Sequence, residues 1–128
     1  MKKAIYPALI SVLLTGCMVK PDQDQIGPYP YGYTETLKSY VKKHYFDPYS
    51  MRDVAHSTPI QGHLYFKQGW LVCIEANAKN RMGAYTGLKR TLLLLNRGQV
   101  LASQDDSRIC DDPQIKWVMW NEMDSSKT

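Results

Sequence analysis

The sequence predicts an α+β fold, with one N-terminal amphipathic helix packed on a small antiparallel sheet of about 4–5 strands. Three observations carry that expectation. In residues 34–46 the apolar positions Leu37, Tyr40, Val41, His44 and Tyr45 fall on one helical stripe. From Arg52 onward the apolar repeat shortens to two, the period of a strand. Turn residues then punctuate the chain at the short intervals that hairpins need. A chain of 128 residues, 44% hydrophobic and 22% charged, has room for one domain with an ordinary core.

The helix has start and stop signals. Thr34 can cap its first turn, and Glu35 suits the positive end of the helix dipole. Lys42 and Lys43 suit the negative end, and Asp47-Pro48 stops the helix because a residue before proline avoids the α region. Val54 to Thr58 reads as a short strand. His63–Phe66 and Trp70–Ala76 read as strands around a Lys67-Gln68-Gly69 turn. Alternation sends Trp70, Val72 and Ile74 to one face, and Leu71, Cys73 and Glu75 to the other. Tyr85 to Leu95 is a long strand whose Leu92–Leu95 run predicts cover on both faces. Asn96-Arg97-Gly98 turns it into a strand over Gln99–Ser103, and Gln104–Arg108 is a polar loop. Asp112-Pro113 resembles a helix start, and Ile115–Met123 fits either a short helix or a last strand. Trp117 and Trp120 are expected on the sheet. The domain is therefore drawn over residues 34–123, with 124–128 as a frayed tail.

Upstream, Met1-Lys2-Lys3 and the apolar run Ala4–Leu14 have the flanks and length of a secretory signal, too short to span a bilayer. Leu14-Thr15-Gly16-Cys17 then resembles the lipobox of bacterial lipoproteins, L-[AST]-[GA]-C, at all four positions. The resemblance implies cleavage between Gly16 and Cys17 and a diacylglycerol thioether plus an N-acyl chain on Cys17. It implies no other cofactor. One acyl chain holds a membrane only reversibly, whereas two or three make attachment effectively permanent. Met18, in place of aspartate, is similar to the enterobacterial pattern for sorting to the outer membrane. These features imply the envelope of a Gram-negative bacterium, with the domain on the periplasmic face. Removing residues 1–16 takes away Lys2 and Lys3, and the formal charge falls from +4 to +2. That is too little to indicate a nucleic-acid partner. The segment 17–33, rich in proline and glycine, reads as a lipidated, flexible tether. With Cys17 lipidated, Cys73 and Cys110 remain as an even pair. An oxidising compartment favours a disulfide between them over two separate buried thiols.

A second resemblance begins at Asp47-Pro48-Tyr49-Ser50. It continues through Gly69-Trp70-x-Val72-Cys73, Asn77-Ala78-Lys79-Asn80 and Gly83-x-Tyr85-Thr86-Gly87 and runs on through the Asn96–Gly98 turn. This succession is similar to that of a group of small bacterial envelope proteins, many of them lipoproteins. Ala84 departs from the pattern, which has a second glycine there. The resemblance implies no activity.

No catalytic constellation is legible, and the expectation is a non-enzymatic protein. His44, His56 and His63 have no metal-ligand spacing, and His44 falls on the apolar stripe of the helix. "DQDQIG" begins like a calcium loop, but Ile26 and Tyr33 stand where ligands are needed. The carboxylate pairs Asp105-Asp106 and Asp111-Asp112 read as loop charge and a cap. Lys79, Arg81, Lys89, Arg90 and Arg97 form a cationic group in the central hairpin region, either ordinary edge charge or a contact for acidic partners. In the loop Asn77–Gly87, Lys79, Asn80, Arg81 and Tyr85 are the candidate contact residues, although asparagines and glycines at that spacing also build a structural turn. The expected role is contact with an envelope protein partner or assembly. The alternative is a periplasmic inhibitor of a hydrolase such as lysozyme.

Overall fold

The computed structural model describes Gly16 and residues 22–127. Cys17 and the remainder of the expected signal peptide lie outside the described residues, while Gly16 is exposed. The described chain forms one antiparallel sheet of six strands with a few helices, an α+β architecture. In chain order these are α1 (Gln23–Ile26), α2 (Tyr33–His44), β1 (Arg52–Ser57), β2 (Ile60–Leu64), β3 (Lys67–Lys79), β4 (Tyr85–Asn96), β5 (Gln99–Asp105) and β6 (Trp117–Met119). The sheet order is β5-β4-β3-β1-β6, and β2 pairs with β3 beside β1.

The long β3 organises the sheet. One edge pairs with β4 along most of its length, from Trp70 opposite Leu95 to Lys79 opposite Tyr85. The other edge is shared, because β2 pairs with its first half and β1 with its second. Thr58-Pro59 separates the two short strands; proline cannot donate to the ladder. At the break the Ser57 hydroxyl accepts a hydrogen bond from the Cys73 N–H at 2.8 Å. The three-residue β6 raises the expected four or five strands to six.

Alternation along β3 and β4 builds a core on each face. Val72, Ile74, Ala76, Leu93 and Leu95 face α2 and pack with Leu37, Val41, Met51, Val54, Trp120 and Met123. Leu71, Cys73, Leu92 and Leu94 face the other way and pack with Leu64 and Cys110, flanked by Ile115 and Trp117. Each fully buried leucine contributes about 1.5–3 kcal/mol relative to exposure. The four-leucine run is covered on both faces, as its pattern predicts. The disulfide Cys73–Cys110 closes the second face, with Cα atoms 5.8 Å apart.

Several expectations need correction. The segment read as a free tether is docked from Asp22 onward. Ile26 is 2% exposed, the Asn96 side-chain amide donates to the Gln25 carbonyl at 2.6 Å, and Arg97 donates to the Asp24 carbonyl at 2.9 Å. The Trp70 indole N–H donates to the Gly27 carbonyl, and the Tyr29 ring meets Trp70 edge-on at 5.0 Å. One buried isoleucine and satisfied carbonyls suffice to hold a segment whose composition alone suggests a linker. Residues 124–127 are no frayed tail either. Asp124 is buried, and the Ser125 N–H bonds the Met51 carbonyl at 2.8 Å. The helix spans Tyr33–His44 rather than 34–46, and Gly32 precedes it without a side-chain cap. Lys67-Gln68-Gly69 is strand, not turn, since Leu64 pairs with Lys67 and the turn is Tyr65-Phe66. Gly69 is needed inside the strand, because a Cβ there would collide with the Leu95 carbonyl oxygen. Residues 115–123 resolve into β6 and a 3-10 turn over Asn121–Met123.

Candidate functional site

The sheet has two ends, separated by the length of β3, about 40 Å for its thirteen residues. At one end lies the connection from β3 to β4, which contains the candidate contact residues. The Asn80 side-chain oxygen accepts hydrogen bonds from the Met82 and Ala84 N–H groups at 3.0 and 3.1 Å. Gly83 supplies the left-handed backbone that closes the turn, at φ +80°. A second asparagine works one step lower. The Asn77 side-chain oxygen accepts from Gly87 N–H, where β3 and β4 shift register and Gly87 takes φ +88°. Both asparagines thus bond backbone, as their residue type allows.

Tyr85 anchors this loop to the segment before β1. Its hydroxyl donates to the Ser50 carbonyl at 2.8 Å, the Arg52 guanidinium lies over its ring at 4.2 Å, and the Lys79 ammonium lies 5.3 Å from the ring centre. Lys79 is half-buried on that ring, whereas Arg81 and Met82 project at the tip. The structure therefore brings Lys79, Asn80, Arg81 and Tyr85 together in one braced loop. Asn80 and Tyr85 spend their polar atoms holding its shape.

The wider cationic group does not survive folding as a patch. Arg97 sits in the turn beyond the opposite end of β4. Arg90 lies on the disulfide face, paired with Glu75 at 2.6 Å and Asp111 at 2.9 Å and placed 5.1 Å from the Trp117 ring centre. Hydrogen bonding to Glu75 outweighs partial burial and raises the guanidinium's affinity for its proton. Alternation also puts Lys89 on the other face from Arg90. Asp111 is thereby an ion-pair partner rather than loose loop charge.

An open cleft of about 420 Å³ lies between the end of α2 and the sheet. Tyr40, His44, Tyr45, Lys89, Thr91 and Asp105 line it. Burial pushes the Tyr45 phenol up, against a hydrogen bond with Thr91 that lowers it, so the phenol stays neutral. The Thr91 hydroxyl donates to Asp105 at 2.9 Å. The His44 ring stacks on Tyr40 at 4.0 Å and its Nδ1 bonds the Tyr40 carbonyl at 2.9 Å. His44 is exposed, against the expectation from the stripe. His56 is the buried histidine, held between the Tyr33 and Trp120 rings. Sequence reasoning missed this cleft because its residues come from four separated elements. His44 bonds Tyr40, and Tyr45, Thr91 and Asp105 bond in series. Among the described residues there is no group of three side chains able to hold a metal, and no buried side-chain polar atom lacks a partner.

Comparison with protein-family models, with curated proteins and with solved structures finds no match. Among the described residues, no helix is long and apolar enough to cross a membrane.

Proposed function

We propose that the chain is a lipid-anchored protein of the Gram-negative envelope, without enzymatic activity. Its small disulfide-linked domain contacts a periplasmic partner or assembly from the outer membrane. The observation that carries this reading is Leu14-Thr15-Gly16-Cys17, following a positive n-region and an eleven-residue apolar run. Cys17 bears the diacylglycerol and N-acyl chains. The Cys73–Cys110 bond supports the reading, since a disulfide persists in an oxidising compartment. The resemblance of the Asp47–Gly87 signature to small envelope proteins points the same way. For partner contact, the braced Asn80–Ala84 tip is the best-formed projection, with Arg81 and Met82 exposed on it. A loop already held in one shape loses little entropy on binding.

Cys17→Ser tests the anchor. Metabolic labelling with a fatty acid should mark the unaltered protein and not the variant, and the variant should move from the membrane fraction to the soluble periplasm. Labelling that persists in Cys17→Ser overturns the anchor. Crosslinking in membranes tests the contact role. A stable envelope partner, lost in Arg81→Glu, is the expected result. Tight inhibition of a muramidase, with no such partner, replaces it with the inhibitor reading.

A further inference from the structure

The Tyr65-Phe66 turn between β2 and β3 is unusual in its chemistry. Two-residue hairpin turns favour glycine or asparagine because their backbone turns left-handed. Here Tyr65 holds φ +55°, a conformation that a bulky side chain rarely takes. Tyr65 is 63% exposed, and the neighbouring Phe66 is fully exposed at 105%. Neither aromatic contributes to the core. A strained turn that displays two rings to solvent is a place to look for a binding role.

Position in the fold says what those rings meet. The turn lies at the end of the sheet that also holds the docked segment Asp22–Gly27. Gln61 in β2 bonds Gln23 at 3.3 Å, and Asn96 bonds both Gln25 and Gln68. Cys17 precedes Asp22 by five residues, and five extended residues reach at most about 18 Å. The anchored end of the chain and the aromatic turn therefore leave the domain on the same side. Tyr29 and Tyr31, packed edge-on at 4.8 Å beside Trp70, add two more exposed rings there. The described charges at this end balance, with Lys67 and Arg97 against Asp22 and Asp24, and Lys20, three positions after Cys17, adds one positive charge. One excess charge gives an acidic or basic partner little field to follow, whereas aromatic rings favour the polar–apolar boundary of a bilayer.

The geometry points to the Tyr65-Phe66 turn as a second membrane contact, inserting its rings among lipid headgroups beside the acylated Cys17. This rests on the anchor reading for its orientation. The turn works with the acyl chains to fix the domain upright, and the Asn80–Ala84 tip then faces away from the membrane. Because the local charges leave an excess of only one, on Lys20, the contact depends weakly on salt and on anionic lipid.

Two single-tryptophan additions to the full chain test it, Phe66→Trp and Met82→Trp. Both replaced side chains are exposed, so neither change disturbs the core. Each protein is reconstituted into vesicles of phosphatidylethanolamine and phosphatidylglycerol containing lipid brominated on its acyl chains. Quenching is read as the difference from the unaltered protein, and intact mass reports acylation of Cys17 on the same sample. The expected result is a blue-shifted residue 66 quenched at least about threefold more than residue 82, with most of that difference kept in high salt. With Cys17 acylated, equal or absent quenching at residue 66 overturns the membrane contact and leaves the anchor reading intact. Strong quenching at residue 66 without acylation sustains the contact and removes the anchor.

Discussion

Asp124→Asn isolates the charge that fastens the C-terminal segment to the sheet. The side chain is buried. One carboxylate oxygen accepts from the Ser126 N–H at 2.9 Å and the Ser126 hydroxyl at 2.6 Å, while the other accepts from the Val54 N–H at 3.4 Å. Burial alone pushes this carboxyl up. Hydrogen bonds from Ser126, Val54 and Asp53 outweigh it and hold the carboxyl below its ordinary value. Asparagine keeps the size but loses the charge, and it turns one acceptor into a donor facing N–H or O–H groups. A hydrogen bond to a charged group contributes about 1.5–3 kcal/mol, and an orphaned buried donor costs about 1–3 kcal/mol. Because the Val54 contact is long, the lower part of the combined range applies, about 2–3 kcal/mol. For a domain of this size that is a fall of roughly 10–20 °C in melting temperature. The pH dependence has a definite sign. A carboxyl depressed in the folded state stabilises fully above the unfolded value of about 3.9, and that contribution is lost as pH falls through the lower folded value. Thermal melts of both proteins between neutral and strongly acid pH, followed by circular dichroism, should show a gap that closes in acid. Equal melting temperatures at neutral pH refute the reasoning, as does a gap that persists undiminished below the folded carboxyl's titration.

Reducing the Cys73–Cys110 bond, which spans 37 positions, should lower stability by roughly 4 kcal/mol. Urea midpoints with and without reductant read this, and a loss below about 1 kcal/mol counts against a constrained unfolded chain. Tyr85→Phe removes the bond to the Ser50 carbonyl while keeping the ring for Arg52. It should cost about 1 kcal/mol and speed amide exchange in residues 80–84, and unchanged exchange would mean that Tyr85 does not brace the loop.

The parts of the fold that were legible in the sequence rest on repetition. Leu37 and Val41 reveal a buried helix face, and the Leu92–Leu95 run reveals a strand covered on both sides, because many residues vote for one period. Asn96-Arg97-Gly98 is equally readable, since Arg97 and Gly98 take the positive φ that such a turn demands. Where single residues decide, pattern fails. Ile26 and a few hydrogen bonds to carbonyls dock a stretch that looks like linker, and Asp124 with the Ser125 N–H holds a polar end. The Tyr65-Phe66 turn hides because aromatics signal strand, while Gly69 reads as a turn although its lack of a side chain serves a close approach to Leu95. The contact loop is legible as a connection, because its asparagines and glycines are turn chemistry. The Tyr45–Thr91–Asp105 cleft is not, because nothing local ties those three positions together.

The sheet is also completed out of chain order. β1 is flanked by β3 and by β6, the last strand of the domain, and the segment after β6 supplies the bonds that hold Met51 and Val54. Hairpins β2–β3, β3–β4 and β4–β5 join neighbours in sequence, so they can form early in folding. β1 pairs with β3 nearby in the chain, but its other edge waits for β6, far along the sequence. A chain in which β6 has not yet docked therefore holds most of its ladder but leaves one edge of β1 unpaired, a template for another chain to join. Docking of the C-terminal segment and protection of that edge are thus the same event in this topology.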